Sequence, residues 1–339
     1  MNNARTVHIK SFGCQMNKLD TSLVASALRE AGFAFTESVK EADVVVINTC
    51  SVREHAEARV MSHLGHLKHA RKHRPDMIVA VIGCMAQRLG ESLLAHDVVN
   101  VVCGPGQIPQ LVHLIEEAFA SNAKRMAVAD VIRDPEDSSS DALEQFESAY
   151  GHEGEEGRAL RGQAFVRVMR GCDNFCTYCI VPYVRGPEQC RPPARILDQV
   201  RRLADEGIRQ VTLLGQTVNS YRYRNGQKTC SLADLLGMVA EVEGIEWIRF
   251  VTSYPSEEFY DDILHAMASS PKVCHYLHMP AQSGSDRILR AMNRHYTAEQ
   301  YLELLARARR IVPDIAIAGD FIVGFPGETD EDFQATVDL

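Results

Sequence analysis

The chain has 339 residues, 45% hydrophobic and 24% charged, a globular profile with room for two domains. Its net charge of −9 excludes a general polyanion binder, so nucleic-acid contact must come from a local basic patch or from a part outside this sequence. The longest apolar runs, such as 44–47, are strand-sized, and residues 1–10 lack the apolar centre of a signal peptide, so the default location is the cytoplasm. In a reducing compartment, ten cysteines point to metal or catalysis rather than to a disulfide framework.

Residues 7–12 alternate like a strand, and 19–31 carry apolar residues at helical spacing up to a stop at Gly32. The β-branched run 43–48 suits a buried parallel strand. A long polar helix follows over 52–74, ended by Pro75, then a strand over 77–82 and a short helix over 87–95. A fourth strand over 98–102 and a fourth helix over 108–120 complete an alternation that implies an open parallel sheet with helices on both faces. Residues 134–156 hold nine acidic residues and no Lys or Arg, with a triple serine and glycines, which is linker composition. The expected division is an N-terminal domain over 1–133, an acidic linker over 134–160 and a second domain over 161–339.

In the second domain, strands are predicted over 164–169, 210–214, 247–252, 275–278 and 315–323. They alternate with helices over 193–206, 232–242, 257–268 and 298–311, and another helix opens at Asp330. Five strand–helix units suggest a partial (β/α) barrel, and an end inside a helix at Leu339 suggests truncation. The fold class is therefore α/β, an open parallel sheet domain followed by a partial barrel.

Cys172, Cys176 and Cys179 form C-x3-C-x2-C directly after the first barrel strand, on the face where such barrels carry their active sites. Thiolates are the preferred ligands of iron–sulfur clusters. Three closely spaced cysteines can hold three irons of a cube and leave the fourth open. The alternatives are a zinc site, with Cys190 as a fourth ligand, or buried core thiols. A second set is Cys14 in Phe12-Gly13-Cys14-Gln15-Met16-Asn17, Cys50 in Asn48-Thr49-Cys50-Ser51, and Cys84 in Gly83-Cys84-Met85-Ala86-Gln87. Each follows a predicted strand. Strand C-termini of an open parallel sheet share one edge, so these three can converge without a local motif. Buried small hydrophobes are the competing explanation. Cys103 also follows a strand, and spacing leaves open whether it is a fourth ligand.

With Tyr178 before its last cysteine, the short motif resembles the radical-SAM superfamily signature. A three-cysteine first domain, an acidic linker and then this motif resemble the methylthiotransferase family, with matching stretches at 12–17, 48–54, 83–87, 171–186, 213–221, 278–294 and 317–329. The resemblance implies two 4Fe–4S clusters and S-adenosylmethionine. Cys172, Cys176 and Cys179 would hold the cluster that cleaves S-adenosylmethionine to a 5′-deoxyadenosyl radical. Cys14, Cys50 and Cys84 would hold an auxiliary one, and Cys103, Cys190, Cys230 and Cys274 would be ordinary thiols. Tyr178, Gly215, Gln216, Gln282, Ser283, Asp320 and Glu328 fall on segments that line the S-adenosylmethionine site in the family, although Gly and Pro also punctuate ordinary turns.

The stretches around Cys14 and Cys50 resemble the branch that adds a methylthio group to carbon 2 of isopentenyl-adenosine beside the tRNA anticodon. The branch acting on a ribosomal-protein aspartate tends to have Pro-Lys after its first cysteine and Gly after its second, where this chain has Gln15-Met16 and Ser51. Threonylcarbamoyl-adenosine in tRNA is the other substrate within the family, and a non-catalytic metal-binding module is the reading from another class. The implied partners are tRNA and an electron donor such as a flavodoxin or ferredoxin, with the chain a monomer away from membranes. The family's RNA-binding TRAM domain has no match here, so weak tRNA binding is expected. The basic stretch 62–74, with His63, His66, Lys68, His69, Arg71, Lys72, His73 and Arg74, either meets tRNA phosphates or forms a solvated helix face, the commoner case.

Overall fold

The computed structural model describes residues 4–51, 54–121, 123–129, 139–150, 162–251, 253–256 and 260–339. The chain forms two compact units, Met1–Ala159 with Tyr183–Gly186, and Leu160–Pro182 with Pro187–Leu339. Among the described residues no helix is long and apolar enough to cross a membrane.

In the first unit β1 (Thr6–Ser11), β2 (Ala34–Phe35), β3 (Val44–Thr49), β4 (Ile78–Gly83), β5 (Val101–Cys103) and β6 (Arg125–Ala127) form one parallel sheet, in the order β2-β1-β3-β4-β5-β6. The central strands VVVINT and IVAVIG are buried at every residue, as strands covered on both faces must be. The four expected strands are joined by two short ones at the edges, where two or three residues are too few to show a period. The helices are α1 (Gln15–Glu30), α2 (Glu54–His73), α3 (Cys84–Leu89), α4 (Glu91–Leu94) and α5 (Leu111–Ser121). The helix expected from 19 starts a turn earlier because Cys14 takes the N-cap position. The one expected over 87–95 is divided at Gly90. Val60, Leu64 and Leu67 of α2 pack against Val45, Ile47, Val79 and Val81 of the sheet.

Part of the stretch expected to be an acidic linker is helical. In α6 (Ser139–Tyr150), Leu143 and Phe146 are buried and the helix packs on α1. Leu143, Phe146 and Tyr150 recur at helical spacing, which overrides the polar composition. The stretches 134–138 and 151–160 lie outside the described residues.

The second unit begins with β7 (Gln163–Arg167) and β8 (Met169–Arg170), followed by α7 (Val181–Val184), β9 (Gln189–Cys190), α8 (Pro193–Asp205) and β10 (Gln210–Leu214). Then come β11 (Arg222–Asn225), β12 (Lys228–Ser231), α9 (Leu232–Ala240), β13 (Trp247–Phe250), α10 (Tyr260–Ser269) and β14 (Tyr276–His278). The remaining elements are α11 (Asp286–Ala291), α12 (Ala298–Ile311), β15 (Ala316–Ala318) and α13 (Asp330–Asp338). Strands β7, β10 and β13 pair in parallel, a parallel bridge from Ile248 to Val273 leads to β14, and β14 pairs in parallel with β15. These five strands with their helices are the expected partial barrel. The predicted strand 315–323 ends at Ala318, with only a bridge from Gln282 to Phe321 beyond it. The β11–β12 hairpin was signalled by Asn225-Gly226 but not predicted.

Two buried asparagines tie the start of α1 to the end of β3. The Asn17 amide donates to Asn48 Oδ1 and to the Thr49 carbonyl, both at 2.8 Å. Asn48 donates back to the Asn17 carbonyl at 2.9 Å and to Thr21 Oγ1 at 3.0 Å. Replacing Asn48 by Ala would strand several buried groups at once, each worth about 1–3 kcal/mol when unsatisfied. Asn48→Ala is expected to lower the stability of the metal-free chain by about 2–4 kcal/mol, read from the urea midpoint. A change within the range of a surface substitution would count against this network.

Candidate metal centres

Cys14, Cys50 and Cys84 follow β1, β3 and β4, which are neighbours in the sheet and run parallel, so all three emerge at one edge. A Cβ on Gly13 would lie 2.9 Å from Cys50 Cβ, and one on Gly83 2.4 Å from the Thr49 carbonyl oxygen. Gly83 also has φ 96°, so glycine alone lets the chain turn there and bring Cys84 against the Cys50 loop. The Cys14 thiol lies 3.2 Å from Asn17 Oδ1. Its hydrogen bond with Cys50, helped by the nearby Arg185 charge and opposed by burial, brings its pKa down to about 6.

Arg185 belongs to this same unit. Its Nη2 lies 3.0 Å from Asp20 Oδ2, with 5% and 0% of the two side chains exposed. Burial disfavours the guanidinium charge. Cys84, Asp20 and Cys14 more than offset that, with a hydrogen bond to Cys84 adding to the effect, so its pKa is raised. Breaking such a pair from one side costs about 3–5 kcal/mol. The exposed pair between Lys68 of α2 and Asp97 is screened by solvent and adds little to stability. In the basic stretch, Lys68 and Arg71 contact Asp97, and Arg74 contacts Asp43, which leaves those three cations engaged within the unit. Cys103 is fully buried next along the sheet, and burial pushes its thiol well up.

In the second unit Cys172, Cys176 and Cys179 lie on the loop between β8 and β9, which pair and close its base. The segment after α11 pins that loop. Thr177 N donates to the Met292 carbonyl at 3.1 Å, and the Asn293 amide donates to the Asn174 and Phe175 carbonyls, both at 3.1 Å. Cys172 Sγ lies 3.2 Å from Thr217 Oγ1 and accepts from Asn174 Nδ2 at 3.4 Å. The buried Arg294 donates to Cys176 Sγ at 3.4 Å and to Tyr296 Oη at 3.0 Å, with its guanidinium 4.2 Å from the centre of the Tyr254 ring. Burial pushes the Cys179 thiol up to about 11. Arg294, Thr217 and Asn293 were not singled out from sequence, because each is recruited across the fold, and Asn174 was passed over although it lies within the motif itself.

The residues expected around S-adenosylmethionine are not equivalent. Gly215 follows β10, where a Cβ would stand 2.6 Å from Met169 Cγ. Beside it, Gln216 has its Oε1 buried with no hydrogen-bond partner. Gln282 is a non-glycine residue at φ 69°, held between the Asp320 carbonyl at 3.0 Å and Ile322 N at 2.8 Å. Asp320 faces His278 Nε2 at 3.1 Å, and Tyr178 is exposed. Ser283 is turned elsewhere and Glu328 partly so. Ser283 Oγ is buried against Thr336 Oγ1 of α13 at 3.2 Å, and Glu328 Oε2 accepts from Gly324 N and from Phe325 N, folding its own turn, while its Oε1 is buried with no hydrogen-bond partner.

Among the described residues no three His, Cys, Asp or Glu side chains are gathered tightly enough to hold one metal ion. A cluster asks for something else, since its three thiolates reach three different irons. Cys190, the candidate fourth zinc ligand, accepts from Arg222 N at 3.3 Å within its own strand surroundings. Both thiol sets, sulfur-only and flanked by a buried arginine, fit iron–sulfur ligation.

Residues 166–339 match the radical SAM superfamily, and residues 6–104 match the uncharacterized protein family UPF0004. A tRNA-2-methylthio-N(6)-dimethylallyladenosine synthase of Cereibacter sphaeroides is 43% identical, over 100% of this chain and 73% of the relative. One of Syntrophotalea carbinolica is 39% identical, over 99% and 73%. The chain belongs to the radical SAM methylthiotransferase family. It is thus an enzyme of sulfur and methyl transfer, and radical SAM membership implies S-adenosylmethionine and a 4Fe–4S cluster. The fold of this methylthiotransferase is shared by TsrM of Kitasatospora setae, solved as a radical S-adenosylmethionine methyltransferase. The TM-score is 0.67 at 15% identity, covering 99% of this chain and 70% of that one.

Peptide-mapped iodoacetamide labelling of the metal-free folded chain should find Cys14 reacting with a midpoint near pH 6, while Cys190 and Cys230, raised by burial to about 11, and Cys103 lag at neutral pH. Because folding lowers the Cys14 pKa, its thiolate adds stability that is complete above the unfolded value and is lost as pH falls through about 6. Uniform labelling rates for the four thiols would contradict this ordering.

Proposed function

We propose that the chain is a tRNA methylthiotransferase that adds a methylthio group at carbon 2 of N6-isopentenyladenosine beside the anticodon, using two 4Fe–4S clusters. The observation that carries the reading is the presence of two separate three-cysteine sets in a chain that aligns over nearly its whole length with 73% of the length of synthases of that name. Cys172, Cys176 and Cys179 serve the cluster within 161–339, and Cys14, Cys50 and Cys84 serve the auxiliary one within 1–133. The relatives' names favour tRNA over a ribosomal-protein aspartate, and isopentenyl- over threonylcarbamoyl-adenosine. An electron donor of flavodoxin or ferredoxin type, and action as a cytoplasmic monomer away from membranes, belong to the same proposal.

The carbon–hydrogen bond at that position has no acidic proton, so acid–base catalysis alone does not reach it. When bound, the cluster with an open iron supplies the electron that breaks a sulfur–carbon bond of S-adenosylmethionine. The chain's own part is to bind and orient. Arg294 and Thr217 fix the sulfurs of Cys176 and Cys172. The partnerless Gln216 Oε1 is available to the ammonium group of the bound amino acid, and Asp320, beside His278, to a hydroxyl.

Anaerobic reconstitution should load about eight irons, and about four after Cys14, Cys50 and Cys84 are all changed to Ala. That variant is expected to keep releasing 5′-deoxyadenosine from S-adenosylmethionine yet to form no 2-methylthio nucleoside, measured by mass analysis of digested tRNA. Changing Cys172, Cys176 and Cys179 should abolish both products. Unchanged 2-methylthio-adenosine in a deletion strain would reject the tRNA assignment, and zinc in place of iron would favour a non-catalytic module.

A further inference from the structure

Arg185 stands six positions after Cys179 in the sequence yet sits in the first unit, buried with Asp20 against the sulfurs of Cys84 and Cys14. A guanidinium out of water must have its charge and its donors answered. Cys84 and Asp20 share the answer to that charge: Asp20 takes part of the five-donor fork, and another part reaches the Cys84 sulfur. Asp20 itself lies on α1, a little under two turns beyond the Cys14 N-cap, so the helix that presents one thiol also anchors the cation. The pair is therefore fixed by the elements that carry the thiols. It faces sulfur rather than solvent, which is not what folding alone requires of an arginine.

We propose that Arg185, held by Asp20, is the charge-balancing and positioning residue of the Cys14–Cys50–Cys84 set, retaining its iron–sulfur cluster and raising that cluster's reduction potential. The inference rests on the two-cluster reading given above. Three thiolates leave a 4Fe–4S cluster with a net negative charge, and reduction adds another. A permanent cation in a low-dielectric site stabilises the reduced form more than the oxidised form. Net charge and hydrogen bonds to sulfur are among the factors that set such potentials. Arginine suits the place because one planar fork spans a carboxylate and a sulfur, which a lysine ammonium does only as a point charge.

The test uses the full chain with Cys172, Cys176 and Cys179 changed to Ala, so that only the set in question can hold iron. It is reconstituted anaerobically, passed through gel filtration, assayed for iron and sulfide, and titrated potentiometrically with electron paramagnetic resonance as the readout. With Arg185 present, about four irons should remain. No iron in this parent would sink the two-cluster reading itself, and the inference with it. Given a loaded parent, Arg185→Met is expected either to lose most of its iron on the column or to keep it at a lower potential. Arg185→Lys, which keeps the charge, should lie closer to the parent in both. Arg185→Met holding the parent's iron at the parent's potential, or behaving like Arg185→Lys, would overturn the inference while leaving two clusters standing. If Arg185→Met does not fold, Asp20→Asn decides: it leaves the guanidinium less neutralised, so the potential should rise, and an unshifted potential would refute the role.

Discussion

On the two-cluster reading proposed above, sulfur that carries negative charge out of water is the constraint on which both units turn. In water a thiolate is solvated, whereas at the buried end of a strand it needs protein donors and a cation. Each unit supplies one arginine for this, Arg185 against Cys84 and Asp20 in the first and Arg294 against Cys176 in the second. Both are almost wholly withdrawn from solvent, where a charge–charge interaction is several times stronger than on the surface. That sets them apart from the many exposed cations of the chain, whose pairs, like Lys68–Asp97, are screened and nearly neutral in energy.

The two thiol sets reach their geometry by opposite routes. Cys14, Cys50 and Cys84 are distant in sequence and are brought together by strand order, with Gly83 and the Asn17–Asn48 network allowing the three turns to approach. Their arrangement therefore depends on the whole sheet being formed. Cys172, Cys176 and Cys179 are local, and a loop so short cannot satisfy its own backbone. Its carbonyls and amides are taken up by 292–293, and Phe175 and Asn293 are held at positive φ to do so. Backbone in that region is sustained only where the surroundings over-determine it, and here the surroundings are the loop and its docking segment together.

What the sequence revealed follows from this difference. Strand positions, helix positions and the six cysteines at strand ends were legible because periodicity and punctuation are local signals. The partners of those cysteines were not. Nothing in the spacing links Asp20 to Arg185, 165 positions away, or Cys176 to Arg294, 118 positions away. The edge strands β2 and β6 were too short to show alternation, and α6 was hidden by acidic composition although Leu143 and Phe146 kept a helical spacing. Ser283 and Glu328 lie on the segments that follow β14 and β15. Sequence, however, cannot say that a hydroxyl will turn to Thr336 or a carboxylate to its own turn.

That sorting of loop residues bears on where a ligand gains most. A side chain already hydrogen-bonded inside the protein gives up a bond to meet a ligand, so its net contribution is small. Ser283 and Glu328 Oε2 are in that position, and Asp320 partly so through His278. Gln216, like the other carboxylate oxygen of Glu328, is in the opposite one. Its buried Oε1 lacks a donor, a state that costs about 1–3 kcal/mol. A ligand N–H that fills it recovers that free energy without breaking anything first. The loop after β10 also carries Thr217, which touches Cys172. The same short segment thus fixes one sulfur of the triad and leaves one carbonyl oxygen free beside it, which is the arrangement expected where a cluster and an amino acid are to be held together.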